Sequence, residues 1–344
     1  EAIRARCEGR EGEIQSAKGA DKSMPPPLLH DLAELQRQAN RLFGLRAETT
    51  LSVAQALYEK HKLITYPRTD SRHLSQDVAA TLGPVVAAIA PAYGNAVAPG
   101  SGTRPLSTRF VQDAKVTDHH AIIPTAHPSR DKNLSRDEQR VYDLVCRRLL
   151  MAWHDPYETR VTTVITAVDS AQANDLFRSS GTMVTKMGWK GLDVSSKGKG
   201  EGPDLPSGLA SGQRHPVRKV DVLHKETKPP KRYNDASLLT AMETAGKALD
   251  DRELEQAMRD RGLGTPATRA AILETLLSRG YVERDGKALV ATERGISLIR
   301  VVDERVKSPS MTGAWEHALK RMEQGDGSLS GFMGRIETFV REVV

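Results

Sequence analysis

Leu63-Ile64-Thr65-Tyr66-Pro67-Arg68-Thr69-Asp70-Ser71 is the stretch on which the reading of this chain turns. Proline fixes its own φ and pushes the residue before it toward extended backbone, so Tyr66 is expected in a β or polyproline conformation. In extended chain residues i and i+2 point the same way, which puts Arg68 on the face of the Tyr66 phenol. A potential nucleophile then stands beside a permanent cation whose planar fork suits phosphate. Attack by a phenol needs help, and a neighbouring guanidinium favours the phenolate and stabilises a crowded phosphate. These two residues alone leave a plainer reading equally open, in which the hydroxyl anchors a loop and Arg68 is surface.

Outward from this stretch, other runs carry signals of their own. Thr265-Pro266 is a helix cap followed by proline at the first helical position, within Gly262-Leu263-Gly264-Thr265-Pro266-Ala267-Thr268-Arg269. Tyr281 to Val290 alternates around Asp285-Gly286, a hairpin signal. A helix followed by a hairpin describes a winged-helix unit, and its helix start offers free N–H groups to a phosphate, although ordinary capping explains it as well.

Taken together the motifs resemble those of type IA DNA topoisomerases of the topoisomerase III branch. Ile64 to Ser71 resembles the active-site signature, and Asp118-His119-His120-Ala121-Ile122-Ile123-Pro124-Thr125 the histidine motif that follows it. Gly262 to Arg269, continuing to Ser278-Arg279-Gly280-Tyr281, resembles the DNA-binding helical motif, and Ser308-Pro309-Ser310-Met311-Thr312-Gly313-Ala314-Trp315-Glu316 a fourth segment. The blocks stand in family order across nearly the whole chain. The resemblance implies Tyr66 as nucleophile, with Arg68 and His119 as catalytic partners. It also implies Gln55, Thr69, His120, Thr265, Thr268, Arg269 and Arg279 as nucleic-acid contacts. Solvent exposure for Gln55 and a structural place for the histidines remain open.

The resembling family begins with a TOPRIM domain that carries an acidic Mg²⁺ site, and no such α/β domain is read in these 344 residues. A core piece is therefore expected, with Mg²⁺ bound in the TOPRIM domain, no metal site in this chain, and impaired catalysis by the chain alone. Asp251-Arg252-Glu253-Leu254-Glu255 imitates an acidic site, but in a helix positions i and i+2 diverge by about 200° and cannot close on one ion. Single-stranded DNA and the TOPRIM domain are the expected partners. The resemblance adds a RecQ-type helicase or single-strand binding protein and a place at the bacterial nucleoid in the cytoplasm.

Composition fits an intracellular DNA-handling protein: Lys+Arg 50 against Asp+Glu 44 gives a net charge of +6. Two cysteines, Cys7 and Cys146, are too few for a zinc or disulfide framework. No apolar run is long enough for a membrane span and no signal peptide is seen. Aromatic content of 4% is too low for stacking at many sites, so phosphate contact is expected to dominate binding.

The fold class expected is multi-domain α+β, with a mostly helical tyrosine-bearing domain inserted in a β-rich arch and a winged-helix-like domain after it. Residues 1–28 and 157–232 are assigned to the arch, 29–156 to the insert and 233–344 to the last domain. Met24-Pro25-Pro26-Pro27 reads as a stiff connector. Asp31 opens a helix with Leu32, Leu35, Ala39 and Leu42 at helical spacing, closed by Gly44. A second helix presents Leu51, Ala54, Leu57 and Tyr58. Residues 77–105 suggest a short helix and a loose loop. A further helix spans 134–153, with Val141, Leu144, Val145 and Leu149 inward. Tyr157 to Val168 reads as a strand, and Met183 to Met187 as another. Ser195 to Arg214 reads as a mobile loop, whose Lys197 and Lys199 are better taken as solvated linker than as DNA contacts. Asp235 and Asp250 are read as caps, and the Thr265 helix as burying Ile272, Leu273, Leu276 and Leu277. A winged-helix DNA-binding protein without chemistry is the main alternative. A tyrosine recombinase or relaxase lacks its Arg/His/Arg or histidine pattern here.

Overall fold

The structure is a computed structural model that describes residues 1–116, 118–127, 133–170, 173–196, 205–206, 208–248, 252–259 and 262–344. Lys197, Lys199, Asp250 and Asp251 lie outside these residues, as does part of the Ser195–Arg214 loop. The chain divides into two compact units, one of Glu1–Leu28, Ala90–Arg104 and Leu150–Pro230, the other of Leu29–Ile89, Pro105–Leu149 and Lys231–Val344.

The first unit is built on an antiparallel sheet. After a short helix α1 (Ala2–Cys7), strands β1 (Glu11–Met24), β2 (Tyr157–Asp169), β3 (Asn174–Lys186) and β4 (Arg214–Pro216) form the order β3-β2-β1-β4. β1 pairs with β2 from Glu13↔Ala167 to Met24↔Tyr157, with a register shift between Ile14 and Ser16. β2 has the β-branched density that the sequence advertises. β1, by contrast, is largely Glu, Lys, Asp, Gly and Ser, with only Gly12 and Ile14 buried. Its extended state comes from pairing with β2, the context dependence that makes strand propensity a weak guide. Gly12 sits so close to β2 that an added Cβ would stand 2.9 Å from the Thr166 methyl. β3 is longer than expected, beginning at Asn174 rather than near Met183. The indole of Trp189 donates to the Met24 carbonyl at 2.9 Å, tying the far end of β1 to the turn after β3.

Two short helices, α4 (Gln76–Ala80) and α5 (Leu82–Ile89), occupy the second unit where one helix and a loose loop were expected. Its centre is α2 (Leu32–Phe43), which begins at Asp31 and ends in Gly44 at φ 71°. The left-handed residue after the helix is the glycine stop that the sequence shows. Leu35 and Ala39 of α2, Ala54 and Leu57 of α3 (Ala47–Glu59), and Val141, Leu144 and Val145 of α6 (Arg136–Met151) share one core with Leu63, Ile64 and Ile122.

The opposite side of α2 is polar and buried. Gln36 donates to the Ala47 carbonyl at 2.9 Å and Asn40 to the Leu45 carbonyl at 2.9 Å, so side chains of α2 fix the turn into α3. Arg37 pairs with Glu34 at 2.9 Å and with Glu243 at the end of α7 (Asp235–Glu243). After α8 (Arg252–Arg259) come α9 (Pro266–Ser278), the hairpin β5 (Val282–Asp285) and β6 (Ala288–Ala291), and helices α10 (Glu293–Val301), α11 (Glu304–Lys307), α12 (Pro309–Glu323) and α13 (Leu329–Val343). The hairpin turns at Gly286, φ 56°, as its Asp-Gly pair predicts.

Two expectations for this region are corrected. Asp235 does not cap its own helix: Asn234 does, accepting from the Ser237 N–H at 2.9 Å. Asp235 turns inward instead, 1% exposed, and accepts from the Ala47 N–H at 3.0 Å, capping α3 from a different helix. Its other oxygen holds Arg284 of β5 at 2.6 Å. Nor does α9 bury Ile272, which is 38% exposed; Leu273 is the buried residue, and the helix axis is rolled so that Arg269 and Ala270 face inward with it.

Asp31 gives a test of this packing. Burial raises its carboxyl to about 6, against opposing contributions from the Glu34 N–H that it accepts at 2.6 Å and from Arg72 and Arg37. The folded state therefore holds this proton more tightly than the unfolded one. The resulting stability is fully present below the ordinary value of 3.8 and is lost as pH rises through about 6. Asn caps helices as well as Asp does. Relative to Asp31→Asn, the native chain should thus lose about 2–2.5 kcal/mol between about pH 4 and pH 7.5 in urea melts. A stability difference that does not change with pH would contradict the buried carboxyl.

Candidate active site

The stretch from Leu63 to Leu74 belongs to no regular strand, yet it is held extended. Lys62, which follows α3 by three residues, has φ 58°, the one positive φ among the described non-glycine residues. Such a backbone costs on the order of 1 kcal/mol outside glycine, and here it redirects the chain out of the helix. The Thr125 hydroxyl donates to the Lys62 carbonyl at 2.6 Å and the Leu63 N–H donates back to Leu57. Beyond it, Pro67, Thr69 and Ser71 are buried while Arg68 and Asp70 are exposed and Tyr66 is half-buried. That is the period-two alternation of extended chain, and it places Tyr66, Arg68 and Asp70 on one face.

Hydroxyls supplement a short backbone pairing along this run, in which the Thr65 N–H donates to the Ile123 carbonyl and the Thr125 N–H to the Leu63 carbonyl, each at 2.9 Å. Thr65 accepts from the Ile123 N–H at 3.0 Å and donates to the Ala121 carbonyl at 3.3 Å. Thr69 donates to the His119 carbonyl at 3.0 Å and accepts from the Ser71 N–H at 3.0 Å. The Thr69 carbonyl accepts from the Leu32 N–H at 3.1 Å, so the same residue reaches the first turn of α2. Thr69 is 3% exposed, which makes its hydroxyl a clip between the tyrosine and histidine segments.

The Tyr66 ring lies between two others. Tyr58 of α3 meets it edge to face, with centroids 5.5 Å apart and planes at 77°. His119 packs on it at 4.4 Å and 47°. The ammonium of Lys62 stands 5.7 Å from the Tyr58 centroid. Sequence periodicity marked Tyr58 only as part of the apolar stripe of α3; its contact with Tyr66 depends on the turn at Lys62, for which the sequence carries no signal. Gln55 is half-buried on α3, one turn before Tyr58 and on the same helix face. The His120 Nδ1 lies 2.8 Å from the Ala121 carbonyl and must donate to it, leaving Nε2 as an acceptor in the neutral ring; burial lowers the pKa of this imidazole and favours that form.

A cleft of about 140 Å³ is lined by Arg68, Thr69, Asp70, Asp118 and His119 on one side and by Thr265, Pro266 and Ala267 on the other. Arg68 is exposed and makes no ion pair or hydrogen bond among the described residues. Facing it is the start of α9. The Thr265 N–H is taken by the Thr268 hydroxyl at 2.9 Å, Pro266 has none, and the Ala267 N–H has no intrahelical partner. The positive end of the helix and the Arg68 guanidinium thus enter one cleft with His119.

Not every candidate gathers there. Thr268 is occupied by the cap of α9. Arg269 is 3% exposed, and its Nε donates to the Leu263 carbonyl at 3.1 Å, bracing the loop in which Gly262 and Gly264 both have φ 65°. A Cβ on Gly262 would come within 2.5 Å of the Met242 carbonyl oxygen, so this loop is packed on the end of α7. Arg279 is exposed at the other end of α9, about 20 Å along a helix of this length. Among the described residues no group of three or more His, Cys, Asp or Glu side chains is placed to hold a metal ion, and no helix is long and apolar enough to cross a membrane.

Comparison with known proteins agrees with the motif reading. A family profile described as DNA topoisomerase matches residues 1–334. DNA topoisomerase 3 of Shouchella clausii is 36% identical over 338 residues, which is 96% of this chain and 46% of that protein. DNA topoisomerase 3 of Bacillus subtilis is 35% identical over 347 residues, 98% of this chain and 47% of that protein. The chain spans about half the length of the curated relatives it matches. The solved structure of full-length topoisomerase I from Thermotoga maritima superposes with a TM-score of 0.72 over 97% of this chain and 52% of that one. At 22% identity this last likeness is one of fold.

The threonine clip can be tested apart from any activity. Thr69→Val leaves the His119 carbonyl and the Ser71 N–H without their buried partner, and should destabilise the chain by about 1–3 kcal/mol in urea melts. Thr69→Ser keeps the hydroxyl and should cost no more than about 1 kcal/mol for the missing methyl. Equal cost for both variants would show that the methyl, not the hydroxyl, matters there.

Proposed function

The chain belongs to the DNA topoisomerase family, and from that premise we propose that it is the part of a type IA enzyme that cuts and rejoins one DNA strand through Tyr66. One observation carries the reading: an unpartnered arginine, a histidine packed on the tyrosine ring and the start of α9 line a single cleft.

In this reading single-stranded DNA enters the cleft with a phosphate at the start of α9 and another between Arg68 and His119. The Tyr66 oxygen attacks phosphorus, its proton leaves, and the bond to the 3′-oxygen breaks. The products are a 5′-phosphotyrosyl ester and a 3′-hydroxyl. The phosphodiester energy is kept in the ester, so attack by the 3′-hydroxyl reseals the strand without ATP. Arg68 offsets charge that builds on the phosphoryl oxygens, the use for which an unpaired guanidinium is suited. Tyr58 and His119 restrict the Tyr66 ring so that less orientational freedom is given up on attack.

Thr65, Thr69 and Pro67 hold the nucleophile's backbone, and Arg269 holds the loop before α9. Thr69, Thr268 and Arg269 thus serve DNA indirectly, through the atoms that they position, while Arg279 belongs to a more distant stretch of the strand. The group that protonates the leaving 3′-oxygen is assigned to a TOPRIM domain, so this chain alone binds single strands and cleaves poorly. Pairing with a RecQ-type helicase or a single-strand binding protein rests on the family resemblance alone.

The test uses this chain supplied with a TOPRIM domain and a labelled single-stranded oligonucleotide. Tyr66→Phe keeps the ring stack and should abolish cleavage while leaving oligonucleotide affinity within about twofold. Arg68→Ala should slow cleavage by an amount equivalent to about 2–4 kcal/mol, as for other donors to developing charge. Arg68→Lys should recover only part, since a point charge cannot copy the guanidinium fork. Full cleavage by the phenylalanine variant would show that another group attacks the phosphate, and no cleavage by the native chain would leave a DNA-binding protein whose tyrosine is incidental.

A further inference from the structure

The chain's net charge of +6 is not spread evenly over its 344 residues. From Arg214 to Arg232, seven lysines and arginines stand against Asp221 and Glu226, a balance of +5 in 19 residues. All seven are exposed, and after β4 the segment has no helix or strand before α7. Elsewhere some cations are consumed inside the fold, as Arg37 and Arg284 are. Among the described residues, the cations of this segment with partners are Arg214, bonded to Glu13 at 2.8 Å, and Lys219, bonded to Asp221 at 2.7 Å. Arg218, Lys225, Lys228, Lys231 and Arg232 make no ion pair or hydrogen bond among the described residues.

Like charges at this density repel one another, and the ion pairs with Glu13 and Asp221 offset that repulsion only in part; a polyanion would offset the rest. Pro229 and Pro230 fix φ and hold the residues before them extended. In such chain, with three residues per turn, Lys228 and Lys231 recur on one edge about 9 Å apart. No Phe, Trp or Tyr occurs between Arg214 and Arg232, and Tyr233 just beyond is the one exposed ring beside it, so stacking is confined to the segment's end. Charge without aromatic rings suits the phosphate backbone and reads no sequence.

We propose that Arg214–Arg232 is a second DNA-binding segment, apart from the cleft residues, which grips the phosphate backbone of single or double strands without base recognition. The assignment rests on the DNA reading given above. Each phosphate that it neutralises releases counterions, so the segment should write itself into the salt dependence of binding.

The test is fluorescence anisotropy of the whole 344-residue chain with a duplex and with a single strand of mixed sequence, from low to moderate NaCl. The variant replaces Arg218, Lys225, Lys228, Lys231 and Arg232 by glutamine; these exposed, unpaired residues leave the melting temperature unchanged. For each phosphate no longer neutralised, the slope of log K against log salt should flatten by about 0.9 for duplex and about 0.7 for single strand. Flattening equivalent to three or more phosphates, alike on unrelated sequences, is the expected result. An unchanged slope in the variant would overturn this assignment alone, whereas no salt-dependent binding by the native chain to either DNA would defeat the DNA reading itself. Co-sedimentation with phosphatidylserine–phosphatidylcholine vesicles is the contrasting arm. Loss of vesicle binding with DNA binding intact would make the segment a membrane-surface element and overturn the proposal.

Discussion

The buried carboxylate of Asp235 joins the two sides of the candidate cleft. One side, Arg68 to Asp70 with His119, descends from α3; the other, Thr265 to Ala267, opens α9. Asp235 starts α7, caps α3 through the Ala47 N–H and holds Arg284 of the hairpin that follows α9. A carboxylate this deeply buried is tolerated because a charged group and an N–H both answer it. Breaking such a pair commonly costs about 3–5 kcal/mol, because the abandoned partner stays buried. The Arg37–Glu34–Glu243 cluster on α2 adds a second connection to α7. Helices with small apolar contacts are thereby placed by polar groups, whose directionality sets position more tightly than packing does.

Within that frame the tyrosine is fixed by unusual means. A strand would hold Leu63 to Leu74 by a continuous backbone ladder, but here the pairing is limited to single bridges, Ile64 with Pro124 and Leu74 with Val111, and Pro124 and Pro67 each remove a donor. Thr65, Thr69, Ser71 and Thr125 add hydroxyl bonds to the few backbone bonds that these bridges supply. Each bond adds about 1 kcal/mol at most, yet each is also a constraint on where the phenol and imidazole can go. Arg68 makes no ion pair or hydrogen bond among the described residues. A cation left without a partner beside a pinned aromatic pair is what an anionic ligand requires.

Much of this was legible from residues whose effect is local. Pro67 sets the extended backbone, so the shared face of Tyr66 and Arg68 follows from it, and Asp31 with Gly44 bounds α2. Thr265-Pro266 opens α9 and Asp285-Gly286 turns the hairpin. What escaped was decided by distant contacts. β1 is made a strand by β2 against its own composition. Asp235 has the local signature of a cap, but Asn234 one residue earlier takes that part and frees it for α3. Arg269 carries the charge of a DNA ligand, and its burial depends on how α9 is rolled against α7, which a periodic pattern of Ala, Ile and Leu does not specify. Thr268 reads as a contact and serves as a cap. The Lys62 turn, in a backbone region that sequence rarely betrays, decides that Tyr58 meets Tyr66.

What decides the chemistry is which atom joins the DNA, and which end of the break it joins. Its most direct test mixes this chain and a TOPRIM domain with an oligonucleotide, stops the reaction with denaturant, digests the trapped adduct and maps it by mass spectrometry. The predicted result is one nucleotide-bearing peptide, modified at the Tyr66 oxygen through a 5′-phosphate. A phosphate on any other residue, or a linkage through the 3′-phosphate, would contradict it.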